Sequence, residues 1–374
     1  MQRTKERMRW AQVIAMTAVL TLSLGIWGPS PNHATAQSGQ QADAGPKFQY
    51  EPLWPKPLPE RWVTGNVSSV CVDAQDHLFT LNRGNLNQYE KNNAKAAPMV
   101  TEFDPAGNLV NSWGDKNVLP EEEPHGCFID YQNNIWIAGN QDGIVQKYTH
   151  DGSKLLLQIG TRGKFDTSDG TIKGTAKNSS QVLLNKPSGI AVDPANGEVY
   201  ISDGYGNRRI VVFDREGHFL RQWGRQGTVA DADAGAGGAF LNVVHCVAIS
   251  KDGLVYVCDR VANRIQVFDK MGNLKKNIVV ESYSNPKRLT GPGSTCWAGF
   301  SPDQAQKYMY VGACGDGQVW VLDRASGKAL SSFGRPGDQP GGFGTTHTLA
   351  VDSKGNIIVG DNFGRKIQMW RLVK

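Results

Sequence analysis

From Val67 onward, short apolar runs separated by polar turns dominate the chain, and no 3.6-residue rhythm is sustained. The clearest unit reads Gly189-Ile190-Ala191-Val192-Asp193, then EVYISD (198–203), then RIVVFD (209–214). A Gly-containing turn follows, and then a run ending in the aromatic–Gly pair Trp223-Gly224. β-Branched and aromatic residues bounded by Gly, Asp and Asn predict strands joined by tight turns. The link between the third and fourth runs recurs as FDPAGNLVNSWG (103–114), YTHDGSKLLLQIG (148–160), FDREGHFLRQWG (213–224), FDKMGNLKKNIV (268–279) and LDRASGKALSSFG (322–334). The first run of each unit ends at Asp73, Asp130, Asp193, Ser250, Ser301 and Asp352, at intervals of 51 to 63 residues, which gives six units.

Four short strands per unit at that period predict an all-β fold, a six-bladed β-propeller. The last unit reaches Lys374 after only three strands, and Lys47 to Leu53 is expected to supply its fourth. Closing the ring in this way removes two sheet edges that would otherwise invite pairing with other chains. The insertions 86–98, 161–181 and 228–240 are expected to be loops on the rim. Trp113 and Trp223 belong to the repeat and read as blade packing, while Asp203, Asp259 and Asp361 read as turn caps.

The N-terminus changes the compartment, not the fold. Met1 to Trp10 carries Arg3, Lys5, Arg7 and Arg9, an apolar run extends from Ala11 to Trp27, and Ala34-Thr35-Ala36 precedes Gln37. That layout predicts a signal peptide over 1–36, a flexible tether over 37–46 and a propeller over 47–374. The product is expected to be exported, periplasmic or secreted, with no membrane attachment after cleavage. An uncleaved anchor is the alternative, because the run is near the lower length limit of a span. The formal charge of +5 includes four Lys/Arg and one Glu of the leader, and no Lys/Arg block in the remainder suggests nucleic acid.

Candidate chemistry comes from the histidines. Of seven, His33 lies in the leader and His77, His150 and His218 lie in polar turns. The other three, His125, His245 and His347, each stand five residues before the end of a first run, in units two, four and six. Ser68, Ser188 and Cys296 hold the same position in the alternate units. In a six-bladed ring, alternate blades are related by a near three-fold rotation, so the three imidazoles should converge at one mouth of the channel. Three such ligands suit a divalent transition metal, with Zn2+ first for nitrogen donors. The plainer alternative is three polar residues holding water.

The loop after each second strand should reach the same mouth. It contributes Arg83 (in Leu81-Asn82-Arg83-Gly84) and Tyr205 (in Asp203-Gly204-Tyr205-Gly206). An Arg there can hold a carboxylate and a Tyr can act as a base; a rim ion pair and a packed turn aromatic are the alternatives. Cys296 could approach the channel or pair with Cys314, and Cys246 could pair with Cys258; Cys71 and Cys127 carry no assignment.

The units resemble NHL repeats, and the His–Arg–Tyr constellation is similar to that of the peptidyl-α-hydroxyglycine α-amidating lyases, best over Lys186 to Gly224. That resemblance implies a catalytic Zn2+ on His125, His245 and His347, with Arg83 and Tyr205 as catalytic groups. It further implies cleavage of the N–C bond of an α-hydroxyglycine to an amide and glyoxylate, on a small-molecule or peptide-derived substrate. Three positions depart from the family pattern. Thr345 replaces an active-site Met, and Gly206 replaces a disulfide Cys. Thr348 replaces an Asp associated with calcium, which argues against a structural Ca2+. Another metal-dependent enzyme on the same scaffold, or a non-catalytic binding propeller, are the competing expectations.

Overall fold

A computed structural model describes residues 44–114, 123–289 and 291–373. The expected signal peptide and most of the tether lie outside them. The described residues form six four-stranded antiparallel sheets, accompanied by three two-stranded pieces and two short helices. Blade one is Val67–Val72, Leu78–Asn82, Val100–Phe103 and Leu109–Trp113. Blade two is Pro124–Ile129, Ile135–Gly139, Ile144–Tyr148 and Leu155–Ile159. Blade three is Pro187–Val192, Val199–Asp203, Arg209–Phe213 and Phe219–Trp223. Blade four is Val244–Ile249, Val255–Asp259, Arg264–Phe268 and Leu274–Val279. Blade five is Trp297–Phe300, Tyr308–Ala313, Gln318–Asp323 and Ala329–Phe333. Blade six is Thr346–Val351, Ile357–Asp361 and Lys366–Val373, completed by Lys47–Glu51.

First strands of successive blades pack on one another all the way round, from blade one through blade six and back to blade one. The closing strand pairs Lys47 with Val373 and Glu51 with Met369, two residues shorter than the expected Lys47 to Leu53. Phe48 then packs 5.5 Å from Tyr310 and 4.9 Å from Phe333, so the N-terminal strand is also anchored to blade five.

Burial explains the sequence pattern. Second strands and the inner part of most third strands, such as Val199–Asp203 and Arg209–Phe213, are buried, because each blade is covered on both faces. They therefore read as continuous apolar runs. The outermost strand, such as Phe219–Trp223, is only partly buried. The apolar clusters lie at the seams: Phe79, Ile137 and Tyr148 join blades one and two, and Val211, Ile201 and Trp136 join two and three. Tyr200, Phe240 and Phe268 join three and four.

Two of the insertions expected to be plain loops contain short capped helices, Gln88–Asn93 and Val229–Asp233. Each starts on a side chain that accepts the N3 amide, Asn87 from Glu90 and Thr228 from Asp231, so local capping chemistry overrides the loop composition.

Six cysteines form three disulfides. Cys246–Cys258 and Cys296–Cys314 are within-blade pairs, and the unforeseen Cys71–Cys127 ties the first strands of blades one and two, with a Cα separation of 5.8 Å. Cys296 is therefore a disulfide partner rather than a free channel thiol. Among the described residues no helix is long and apolar enough to cross a membrane.

Candidate metal centre

The first strand starts beside the end of the second in each blade, with Val67 opposite Asn82, Pro187 opposite Asp203 and Val244 opposite Asp259. Loops following the second strands therefore reach the same mouth as the strand starts. The ladder is interrupted between Pro124 and Cys127, between Val244 and Val247, and between Thr346 and Thr348. Each interruption contains one of the three histidines. A bulge re-aims a side chain that would otherwise follow the pleat, and here it turns the imidazoles to the axis.

His125, His245 and His347 meet with ring centroids 4.8 to 4.9 Å apart, and each is at most 6% exposed. Their ligand nitrogens lie within 4.8 Å of one another. Each Nδ1 faces a backbone carbonyl of the next blade: Ser188 at 2.9 Å for His125, Cys296 at 2.7 Å for His245 and Ser68 at 2.7 Å for His347. These acceptors are the three residues that hold the histidine position in the alternate blades. A carbonyl only accepts, so each Nδ1 is the protonated nitrogen and each Nε2 keeps its lone pair for the axis. That tautomer and orientation are what a metal-ligating imidazole requires. Gly126 is needed for the approach of blades two and three, since a Cβ there would lie 2.2 Å from the Ser188 carbonyl oxygen.

Electrostatics favour the same state. Burial, then the charge of His347 and nearby arginines, pushes His125 and His245 well below their ordinary range. Burial, then Arg83, lowers His347 to about 3. The three rings are thus neutral donors at physiological pH, and the residues fit a divalent ion without any proton having to leave.

A cavity of about 390 Å³ opens over the histidines, lined among others by Arg83, Tyr205, Arg260, Thr345, Asn362 and Phe363. The Tyr205 hydroxyl lies 3.1 Å from both His125 Nε2 and His245 Nε2. Arg260 Nη1 donates to the same oxygen at 3.1 Å, and its guanidinium sits 5.4 Å from the Tyr205 ring centre. Arg83 projects into the cavity with Nη1 3.8 Å from Glu123 Oε1. All five residues singled out in the sequence therefore line one site. Arg260 and Glu123 were missed. Arg260 follows Asp259 at the end of a second strand, as Arg83 follows Asn82, and that shared position was the available signal.

Other candidates resolve into structure. Asp203, Asp259 and Asp361 accept from Asn185, Leu241 and Thr345 amides, as turn caps do. Asp73, Glu102 and His150 gather a second set of ligand atoms, but His150 Nε2 pairs with Asp73 at 2.9 Å and His77 Nδ1 with Glu102 at 2.7 Å. The His150 turn position supplies Lys270 and Arg324 in later blades, and these clasp Asp193 and Asp252 of the preceding blade. His150 is the same seam clasp. Thr348 Oγ1 accepts from the Val70 amide at 3.1 Å, so a neutral hydroxyl stands where the resemblance puts a carboxylate. A further cavity of about 220 Å³ inside the ring is lined mainly by apolar residues such as Val70, Ile190 and Leu349, with the Cys71–Cys127 disulfide, and no titrating group lines it among the described residues.

Fold and site define the class: a six-bladed β-propeller with NHL repeats and a three-histidine centre at one channel mouth. The NHL repeat profile matches residues 184–213 and 241–268. Among characterised relatives, peptidyl-glycine alpha-amidating monooxygenase B of Xenopus laevis is 25% identical over 310 residues, which is 79% of this chain and 33% of that protein. The chain thus spans about a third of that relative's length. A Caenorhabditis elegans protein named a probable peptidyl-alpha-hydroxyglycine alpha-amidating lyase is 24% identical over 314 residues, 79% of each chain. Streptogramin B lyase shares the fold with a TM-score of 0.54 at 10% identity, over 87% of this chain and 98% of its own.

Proposed function

We propose that this chain is an exported, zinc-dependent carbon–nitrogen lyase of the peptidyl-α-hydroxyglycine amidating type. It would split a carbinolamide, R–CO–NH–CH(OH)–COO⁻, into an amide and glyoxylate, or a similar carbonyl product. The observation that carries the reading is the set of three buried Nε2 atoms, each fixed by a carbonyl on Nδ1, beside Tyr205 and two arginines in one cavity. The relative named a probable amidating lyase, 79% of which this chain matches, supports the same reaction class. The basic, apolar and A-x-A leader and the three disulfides support export.

When bound, Zn2+ supplies Lewis acidity toward substrate oxygens. The remaining work falls to the protein. Tyr205, in its phenolate form, takes the proton of the carbinol hydroxyl and passes it to the departing amide nitrogen, while Arg260, donating to the same oxygen, stabilises the phenolate. Arg83 holds the substrate carboxylate. As the O–H electron pair becomes the carbonyl, the C–N bond breaks and its pair goes to the amide nitrogen, which takes up a proton. Thr345, where the resemblance has Met, puts a smaller and more polar group in the cavity wall, which offers less apolar contact to a substrate side chain.

Metal analysis of the mature chain, followed by glyoxylate detection with an N-acyl-α-hydroxyglycine, tests this. One equivalent of zinc and glyoxylate release are expected, both lost in His125→Ala/His245→Ala/His347→Ala. Zinc without glyoxylate would point to a different metal-dependent reaction. No metal, or metal retained in the triple variant, would leave a non-catalytic propeller.

A further inference from the structure

The turn that carries Tyr205 is one residue longer than its counterparts in blades four and six. Asp203 pairs with Arg209 across it, enclosing residues 204–208. In blade four Asp259 pairs with Arg264 and encloses only 260–263, and blade six does the same with 362–365. Blades three and four are otherwise superposable at this point, since Arg209 Nε and Arg264 Nε each hold their Asp at 2.9 Å. Blade three thus has one additional residue in this turn, which ends in Arg208.

Arg208 makes no ion pair with a carboxylate among the described residues. Its Nη1 instead lies 2.6 Å from the Asn207 carbonyl and 2.8 Å from that of Gly204, with the Tyr205 and Gly206 carbonyls at 3.3 and 3.4 Å. One guanidinium arm therefore gathers the four carbonyls of residues 204–207. The rest of the fork crosses to the next blade: Nε to the Leu241 carbonyl at 3.3 Å and Nη2 to Asn242 Oδ1 at 2.7 Å. Leu241 and Asn242 lead into the strand that carries His245. The planar five-donor guanidinium suits this role, and an ammonium does not match it.

Two packing facts make the clamp consequential. Gly204 sits so close to blade four that a Cβ would fall 2.0 Å from the Val244 carbonyl oxygen, and a Cβ on Gly206 would fall 2.1 Å from the Asn185 side chain. Asn207 anchors the turn within its own blade, its Nδ2 donating to Asp203 Oδ2 at 2.7 Å and to Asp166 Oδ2 at 3.1 Å. The side-chain hydrogen bonds from the turn to blade four come from Tyr205 and Arg208.

We propose that Arg208 is the positioning residue that holds Tyr205 in register with His245, coupling the base to the metal ligand through backbone carbonyls. Arg208 acts on the reaction only through the turn. The kinetic half of this inference rests on the lyase reading above; the structural half does not.

The test uses the zinc-loaded mature protein and its Arg208→Ala and Arg208→Lys variants. Arg208→Ala is expected to lose roughly 10²-fold in kcat, the scale of an ångström-level misplacement, with KM and bound zinc near wild type. Added guanidinium ion should recover part of that kcat in Arg208→Ala but none in Tyr205→Phe, and Arg208→Lys should fall between Ala and wild type. In parallel, amide exchange over residues 204–208 should accelerate roughly tenfold or more in Arg208→Ala, while the blade cores stay protected. Wild-type kcat in Arg208→Ala, or a kcat loss matched by loss of zinc, overturns the inference. If wild-type protein makes no glyoxylate, the lyase reading fails, and the exchange measurement alone decides the clamp: unchanged exchange over 204–208 refutes it.

Discussion

Holding three imidazoles neutral in the interior has a thermodynamic consequence that can be measured without any substrate. Burial, then the charge of His347 and nearby arginines, depresses the pKa of His125 and His245 well below the usual value of 6.5, and burial, then Arg83, lowers that of His347 to about 3. In the unfolded chain the same residues titrate near 6.5. Between these limits the unfolded state binds more protons than the folded one, so stability is fully present above about pH 6.5 and falls as the pH falls toward the folded values. From about pH 7.5 to about 5.5, each such histidine shifts the balance by about 1.4 kcal/mol, and three together by about 4 kcal/mol.

The assay is urea unfolding of chelator-treated protein at those two pH values, beside His125→Gln/His245→Gln/His347→Gln. The wild type should lose about 4 kcal/mol more than the variant across the interval. Zinc affinity of the folded chain should meanwhile stay nearly flat over the same interval, because no proton competes for Nε2. Three solvent-exposed imidazoles with ordinary pKa values would lose roughly 10³-fold. Parallel pH dependence of stability in wild type and variant, or a steep fall in zinc affinity, would refute the neutral buried triad.

Two further predictions concern how the fold holds the site. Gly204→Ala places a methyl group against the Val244 carbonyl and should destabilise the protein by about 1–3 kcal/mol, read by thermal unfolding, while glyoxylate release falls more than zinc content. Phe48→Ala removes ring packing on Tyr310 and Phe333 and should cost about 2 kcal/mol. Deleting the chain through Glu51 should additionally expose the Lys366–Val373 edge and produce higher-order species on size-exclusion chromatography.

Much of the architecture was legible because strand period and turn chemistry are local. Five four-strand units and a sixth with three strands imply a propeller, and the missing strand of the sixth calls for Lys47 and its neighbours, which pair there. The phase of His125, His245 and His347 within the repeat placed them at one mouth, since symmetry converts equal sequence positions into equal spatial positions. Arg83 and Tyr205 followed from the hairpin return. Arg260 did not, because Asp259 was read as the end of a motif and the residue after it was passed over.

What the chain by itself could not determine is set by contacts between blades. No spacing rule shows that each histidine Nδ1 meets a carbonyl exactly one blade on, or that Ser68, Ser188 and Cys296 are the residues whose carbonyls fix the tautomer. The Cys71–Cys127 bridge and the Arg208 clamp are of the same kind. Hydrophobic periodicity is a property of one strand and survives in one dimension. Which nitrogen carries the proton depends on an acceptor between 51 and 279 residues away in sequence, and only closure of the ring brings the two together.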